Sequence, residues 1–299
     1  MQEKIGDESI SILSGNLNPF DIVPSIYYII IINALVVLSA FLLHRINFTH
    51  IIIEGRTYLP SILLVMILSA IEVNHNTFFI LVSLNILLLF FMTILSLNKN
   101  QNNNTFLFNA AFLLAISAHF DYRIIYFFVF IFFVAKVLGD INLRNVIIAL
   151  TGFCLPFIFS FLYYFLFRTA DQYPVILYFT DQEFFSNIRI STDTGFLAGF
   201  ILFTTFSLLL TLTKMSAKKI RQRKLHILML WWLLFVCAAY MIIGFSMAGF
   251  IIYFSVPFAF FLTNFFNEFA GKKISSLIFY LLIIFVIFYK VFPYAEKLI

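Results

Sequence analysis

The sequence predicts an all-α fold, a polytopic bundle of about ten transmembrane helices with both chain ends outside the cytoplasm. Three observations predict it. Hydrophobic residues make up 63% of the 299 positions and charged residues only 11%, where a soluble domain carries about 25% charged residues. The mean hydropathy is +1.02, and a chain this long cannot hide that much apolar surface in one core, so lipid is its solvent. Most basic residues fall in every second segment between apolar runs, and so on one side, as the rule for cytoplasmic Lys and Arg requires.

Taken in order, the chain opens on a polar, mildly acidic tail, residues 1–22, "MQEKIGDESISILSGNLNPFD" and on to Ile22. It has no basic start, apolar stretch or small-residue cleavage site, so it is not a secretory signal. The rest, 23–299, reads as a single transmembrane domain. A bilayer core needs roughly 20 apolar residues per helix. Apolar runs at 25–44, 58–73, 77–97, 106–120, 124–139, 145–167, 195–213, 226–244, 247–265 and 274–292 supply ten candidates. The runs at 58–73, 106–120 and 124–139 are short, which suits hairpins or tilted segments. Pro60, Pro156 and Pro257 lie in or near the starts of spans as kink points. Asn33, Asn85 and Asn109 intrude into apolar runs, where hydrogen bonds between helices account for them. Cys154 and Cys237 also lie inside apolar runs and read as buried small hydrophobes. They offer no metal spacing and no disulfide framework. The 43 Phe residues read as packing.

The strongest marker of orientation is "KMSAKKIRQRK", read as a basic cytoplasmic loop over 214–225. Walking outward from it, Arg45, Arg56, Lys99, Lys136, Arg144, Lys272 and Lys273 fall on the same side without skipping a span. This run contacts anionic head groups of the bilayer, and nothing in the pattern points to nucleic acid. "NKNQNNN" at 98–104 is a polar cytoplasmic tether.

The opposite side is chemically richer. In "AISAHFDYRIIYFF", His119, Asp121 and Arg123 meet at an outer turn. The neighbouring outer turn brings Glu72 and His75. The long outer loop at 168–194, rich in aromatics and acids, brings Arg168 and Arg189, and the tail brings Asp7 and Asp21. Charge is costly at the bilayer centre, about 2.5–3.5 kcal/mol on insertion scales, so the triplet belongs at an interface. One reading makes Asp121 a cap between two helices. The other makes Asp121, His119, Asp21 or Asp7 a catalytic acid or base. In that reading Arg123, Arg168, Arg189, His75 and Glu72 hold a phosphate-bearing substrate. Both stay open. No phosphate loop, dinucleotide fingerprint, HExxH or GxSxG occurs, and no cofactor or metal is specified.

"EGRTYLPSILLVMILSAIEVNHNTFF", "NTFLFNAAFLLAISAHFDYRIIYFFVFIFF" and "RNVIIALTGFCLPFIFSFLYYFLF" carry a likeness. Over roughly residues 50–170 the chain resembles a family of multi-pass inner-membrane proteins of Bacteroidetes that has no assigned reaction. The shared pieces are the "FNAAF" helix start, the aromatic outer turn and the lead from Arg144 to Phe153. The resemblance implies residence in the inner membrane as a multi-pass protein. Members of that family begin with a further span, so this chain opens on what would be their first outer loop. Membrane glycosyltransferases that use polyprenyl-phosphate sugars place an acid in that loop, which is an analogy of topology alone. Three functions follow as alternatives: handling of a lipid-linked glycan at the outer face, non-enzymatic assembly of envelope components, and flipping or transport of a lipid. The near absence of charge within the spans weakens the last.

Overall fold

A computed structural model describes residues 25–53, 57–71, 75–97, 103–138, 142–167, 192–213, 218–243, 247–269 and 273–296. These residues form helices and short turns, with no strand among them. The helices are α1 (Ser25–His50), α2 (Leu59–Leu68), α3 (His75–Ile94), α4 (Asn103–Phe120), α5 (Phe127–Leu138), α6 (Leu143–Phe167), α7 (Thr192–Thr213), α8 (Ile220–Ile243), α9 (Met247–Glu268) and α10 (Lys273–Glu296). A 3₁₀ turn, Tyr122–Tyr126, precedes α5. Each predicted apolar run therefore holds one helix. Five of them, α1, α3, α6, α8 and α9, are long and apolar enough to cross a membrane.

Local patterning explains the elements. In α1 Tyr28, Ile32, Val36, Ser39, Leu43, Ile46 and His50, spaced three or four apart, are buried, with Leu42 and Asn47 beside them, while Tyr27, Ile30, Val37 and Phe41 are exposed. That is the one-sided stripe of a helix packed on one face. In α5 the stripe is Phe127, Phe130, Ile131, Val134 and Ala135. α9 is enclosed on every side, its whole apolar window being buried, whereas only 11% of the α6 window is. An apolar helix with so little covered surface has lipid, or a partner, around it. α1 ends on Ile51 with a positive φ of 52°, unusual for a β-branched residue. The Asn47 amide secures that exit: its Oδ1 accepts from Ile53 N at 3.1 Å and its Nδ2 donates to Thr57 O at 3.3 Å.

Two compact units are distinguished. Unit 1 comprises Met1–Leu35, Val73–Phe184 and Cys237–Gly244, and unit 2 comprises Val36–Glu72, Phe185–Val236 and Phe245–Ile299. In unit 1, α4 presents Ala110, Ala111, Ala115, Ser117 and Ala118, all fully buried. Small side chains let neighbouring backbones approach. Ser117 and Ser83 of α3 then exchange bonds: their hydroxyls lie 2.8 Å apart and each reaches the other's carbonyl oxygen, at 3.1 and 2.9 Å. Gly152 of α6 sits so close to α4 that an added Cβ would stand 2.6 Å from Phe108 O. Asn85 Nδ2 donates to Leu35 O of α1 at 3.2 Å, the interhelical bond expected of it.

In unit 2, Phe200 of α7 stacks on Phe258 of α9 at 4.1 Å. Pro257 lies inside α9. It has no N–H for the carbonyl four residues back, that of Tyr253. Trp232 of α8, fully buried, donates its Nε1–H to that carbonyl at 3.1 Å. The helix break and its repair thus come from different segments.

Some expectations are corrected. Asn33 bonds to Ile29 O of its own helix, on an exposed face, because a short amide reaches its own preceding turn more readily than a neighbour. Cys154 is exposed and Cys237 half-buried, so neither thiol is fully enclosed by the protein. α4 begins at Asn103 and α8 at Ile220. Asn103, Asn104, Arg221, Arg223 and Lys224 are helical, because polar residues are compatible with a helix wherever its end leaves the apolar region. The tail 1–22, nearly all of the loop at 168–194, and residues 98–102 and 214–217 lie outside the described residues.

Candidate functional site

His119, Asp121 and Arg123 lie in unit 1, where α4 stops. Asp121 leaves the helix in extended conformation, φ −139° and ψ 107°. Its Oδ1 accepts from Arg123 N at 3.1 Å, which caps the 3₁₀ turn in the manner of an Asx turn. The same oxygen lies 3.9 Å from Arg123 Nη1. Tyr240, near the end of α8, donates its hydroxyl to Oδ2 at 3.5 Å. The guanidinium of Arg123 stands 5.4 Å from the centre of the Tyr122 ring and 5.2 Å from that of Tyr240, both within cation–π range.

Within the protein the turn is buried: Asp121 is 0% exposed and Arg123 7%. Burying a carboxylate and a guanidinium is costly, and the cap, the ion pair and two tyrosines are among the contacts that offset it.

His119 does not join them. Its Nδ1 is 2.7 Å from Ala115 O; a carbonyl only accepts, so this nitrogen carries the proton. Its ring stacks on Phe157 of α6 at 4.6 Å. Among the described residues His119 makes no hydrogen bond to Asp121 or Arg123. The triplet is therefore two devices, a packed imidazole on α6 and an acid–arginine–tyrosine cluster.

Of the other predicted site residues, Asp7, Asp21, Glu72, Arg168 and Arg189 lie outside the described residues. His75 opens α3, and its side chain is likewise outside the description. Among the described residues no group of three or more His, Cys, Asp or Glu could hold a metal ion. Sequence reasoning missed Tyr240. Its only signal is a phenol near the end of the eighth apolar run, which the ten-span alternation puts on the same side as the end of the fourth, where Asp121 stands.

The fold and this cluster define a class: an all-helical protein with several membrane-length apolar helices. Beyond that class, no family model, curated protein or solved structure matches the chain.

Proposed function

We propose that this chain is a multi-pass protein of a bacterial inner membrane, of the Bacteroidetes type it resembles, with ten spans and both ends outside the cytoplasm. We propose further that it serves envelope biogenesis as a non-enzymatic assembly component. The ten-span topology draws support from helix ends that meet. In unit 2 the end of α1 meets the start of α8, with Arg221 Nη2 3.4 Å from His50 Nδ1. The start of α8 also meets the end of α9 through Lys218 and Asn264 at 3.0 Å. The end of α10 meets that of α2, Lys290 Nζ donating to Ser69 O at 3.0 Å. In unit 1 the end of α4 meets that of α8 through Asp121 and Tyr240. Ten alternating spans put each of these pairs on one side. The short α5 fits too, since its 12 residues and the preceding 3₁₀ turn together rise roughly 28 Å, against a bilayer core of about 30 Å.

The observation behind the non-enzymatic reading is the complete burial of Asp121 with its oxygens engaged. A general base must reach a substrate proton, and this carboxylate spends its acceptors on the chain. A second reading, handling of a lipid-linked glycan at the outer face, has Arg123 in its favour. A guanidinium walled by two tyrosines is a chemistry that holds phosphate.

The test is a gene deletion complemented with wild type or with Arg123→Lys, with lipid extracts and surface glycans profiled by mass spectrometry at matched protein levels. The assembly reading predicts unchanged lipid-linked intermediates in every strain, with a protein partner recovered by cross-linking to wild type. An intermediate that accumulates on deletion, clears with wild type and persists with Arg123→Lys would overturn it in favour of the glycan reading.

A further inference from the structure

Unit 2 holds a second buried polar cluster, where α8 begins and α9 ends. Lys218 Nζ donates to Asn264 Oδ1 at 3.0 Å, lies 3.4 Å from His226 Nε2 and is 3.9 Å from Glu268 Oε1. The Asn264 amide nitrogen also meets His226 Nε2. His226 Nδ1 is 2.7 Å from Gln222 O. His226 is 1% exposed and Asn264 5%.

The protons in this cluster follow from donor and acceptor chemistry. Gln222 O can only accept, so His226 Nδ1 carries the hydrogen. Nε2 is then the lone-pair nitrogen of a neutral ring, and both groups that meet it, the Asn264 amide nitrogen and the Lys218 ammonium, are donors. The orientation of the amide is assigned by Lys218, which needs Oδ1 as its acceptor. Lys218, Asn264 and His226 are partnered in this arrangement, and the two contacts to Nε2 require a neutral imidazole.

A second proton, on Nε2, would face two donors. Turning the Asn264 amide over offers Oδ1 to the imidazolium, but it also turns the amide NH₂ onto the ammonium of Lys218. The conflict ends only when Lys218 leaves. Among the described residues, the charged groups around the imidazole are Lys218, on its own segment, and Glu268, on α9, which faces Lys218. Arg221 is turned to His50 of α1. Phe261 of α9 lies 6.5 Å from the ring, and the buried polar residues in the C-terminal half of α7, Ser207 and Thr211, are uncharged.

We propose that His226 is a proton-binding site acting as a release catch: a proton taken up at Nε2 expels Lys218 from its contacts with α9. The proton comes from solvent, Lys218 stays an ammonium, and no covalent bond changes. The junction between α8 and α9 loosens on acidification and closes again as the proton is lost. This coupling is independent of the proposed function and is the same whichever face of the membrane the cluster occupies.

The experiment is hydrogen–deuterium exchange of the full chain in phosphatidylcholine nanodiscs at pH 7.5 and pH 3.5, corrected for the intrinsic pH dependence of exchange. Wild type should gain exchange several-fold at pH 3.5 in peptides covering 218–226 and 260–268, with other helices unchanged. His226→Gln accepts a hydrogen bond but takes up no proton, and its exchange should not change with pH. Lys218→Met supplies the same check by another route. It leaves the amide free to turn, so it too should lose the acid response, even if His226→Gln does not fold. A wild-type pattern that ignores pH would overturn the catch. So would an acid response that persists in His226→Gln, which would trace it to Glu268, or one that persists in Lys218→Met.

Discussion

Asp121→Ala is expected to destabilise the protein by about 3–5 kcal/mol, the cost of leaving a buried charge without its partner. The carboxylate is fully buried and provides the cap on the 3₁₀ turn, the counter-charge of Arg123 and an acceptor for Tyr240. A double-mutant cycle separates these roles. Arg123→Met removes the guanidinium while keeping an unbranched side chain of similar reach. In that background Asp121→Ala no longer strands a cation, and its cost should fall to the loss of the cap, about 0.5–2 kcal/mol. The coupling between the two sites should therefore exceed about 1 kcal/mol. The long N–O distance of 3.9 Å and the availability of other partners to a chain unfolded in lipid both favour the lower part of the range. The measurement is SDS titration of the purified protein in detergent, followed by far-ultraviolet circular dichroism.

Trp232→Phe is expected to cost about 2–3 kcal/mol, from a buried carbonyl deprived of its donor together with the lost volume of the indole. The reason lies in Pro257. Proline cannot supply the N–H that the Tyr253 carbonyl would receive in a regular helix, and the indole supplies one from α8. Pro257→Ala restores a backbone donor. In that background Trp232→Phe should lose most of its effect, leaving only a packing term of about 1 kcal/mol. A cost that is the same in both backgrounds would mean that the indole acts by bulk alone. The same titration reads this cycle.

Much of this fold was legible in the sequence because lipid imposes it. A bilayer demands apolar segments of a given length, and each of the ten segments located by that criterion holds a helix. The boundaries at Asn103 and Ile220 were missed for the same reason: the criterion finds where apolarity stops, while helices continue into polar interfaces. Asp121 as a cap was legible from a small acid between two apolar runs. Its burial was not, since that depends on Tyr240, 119 positions away, and on Arg123 lying over two rings. Lys218 and His226 were visible as residues, but the basic run read as a signal of orientation. Nothing local tells that its first turn faces Asn264 rather than head groups. The pairing of Trp232 with Pro257 is hidden likewise, because a proline announces a missing donor but not which side chain replaces it.

The central claim is the alternating ten-span topology, and cysteine accessibility tests it most directly. In a background where Cys154 and Cys237 are replaced by serine, single cysteines at Asn142, Lys272, Asn74 and Ser246 would be labelled in intact cells with an impermeant maleimide, before and after permeabilisation. The account predicts that Asn74→Cys and Ser246→Cys label from outside, while Asn142→Cys and Lys272→Cys label only once the membrane is opened. External labelling at Asn142 or Lys272, or protection at Asn74 or Ser246 until permeabilisation, would contradict it.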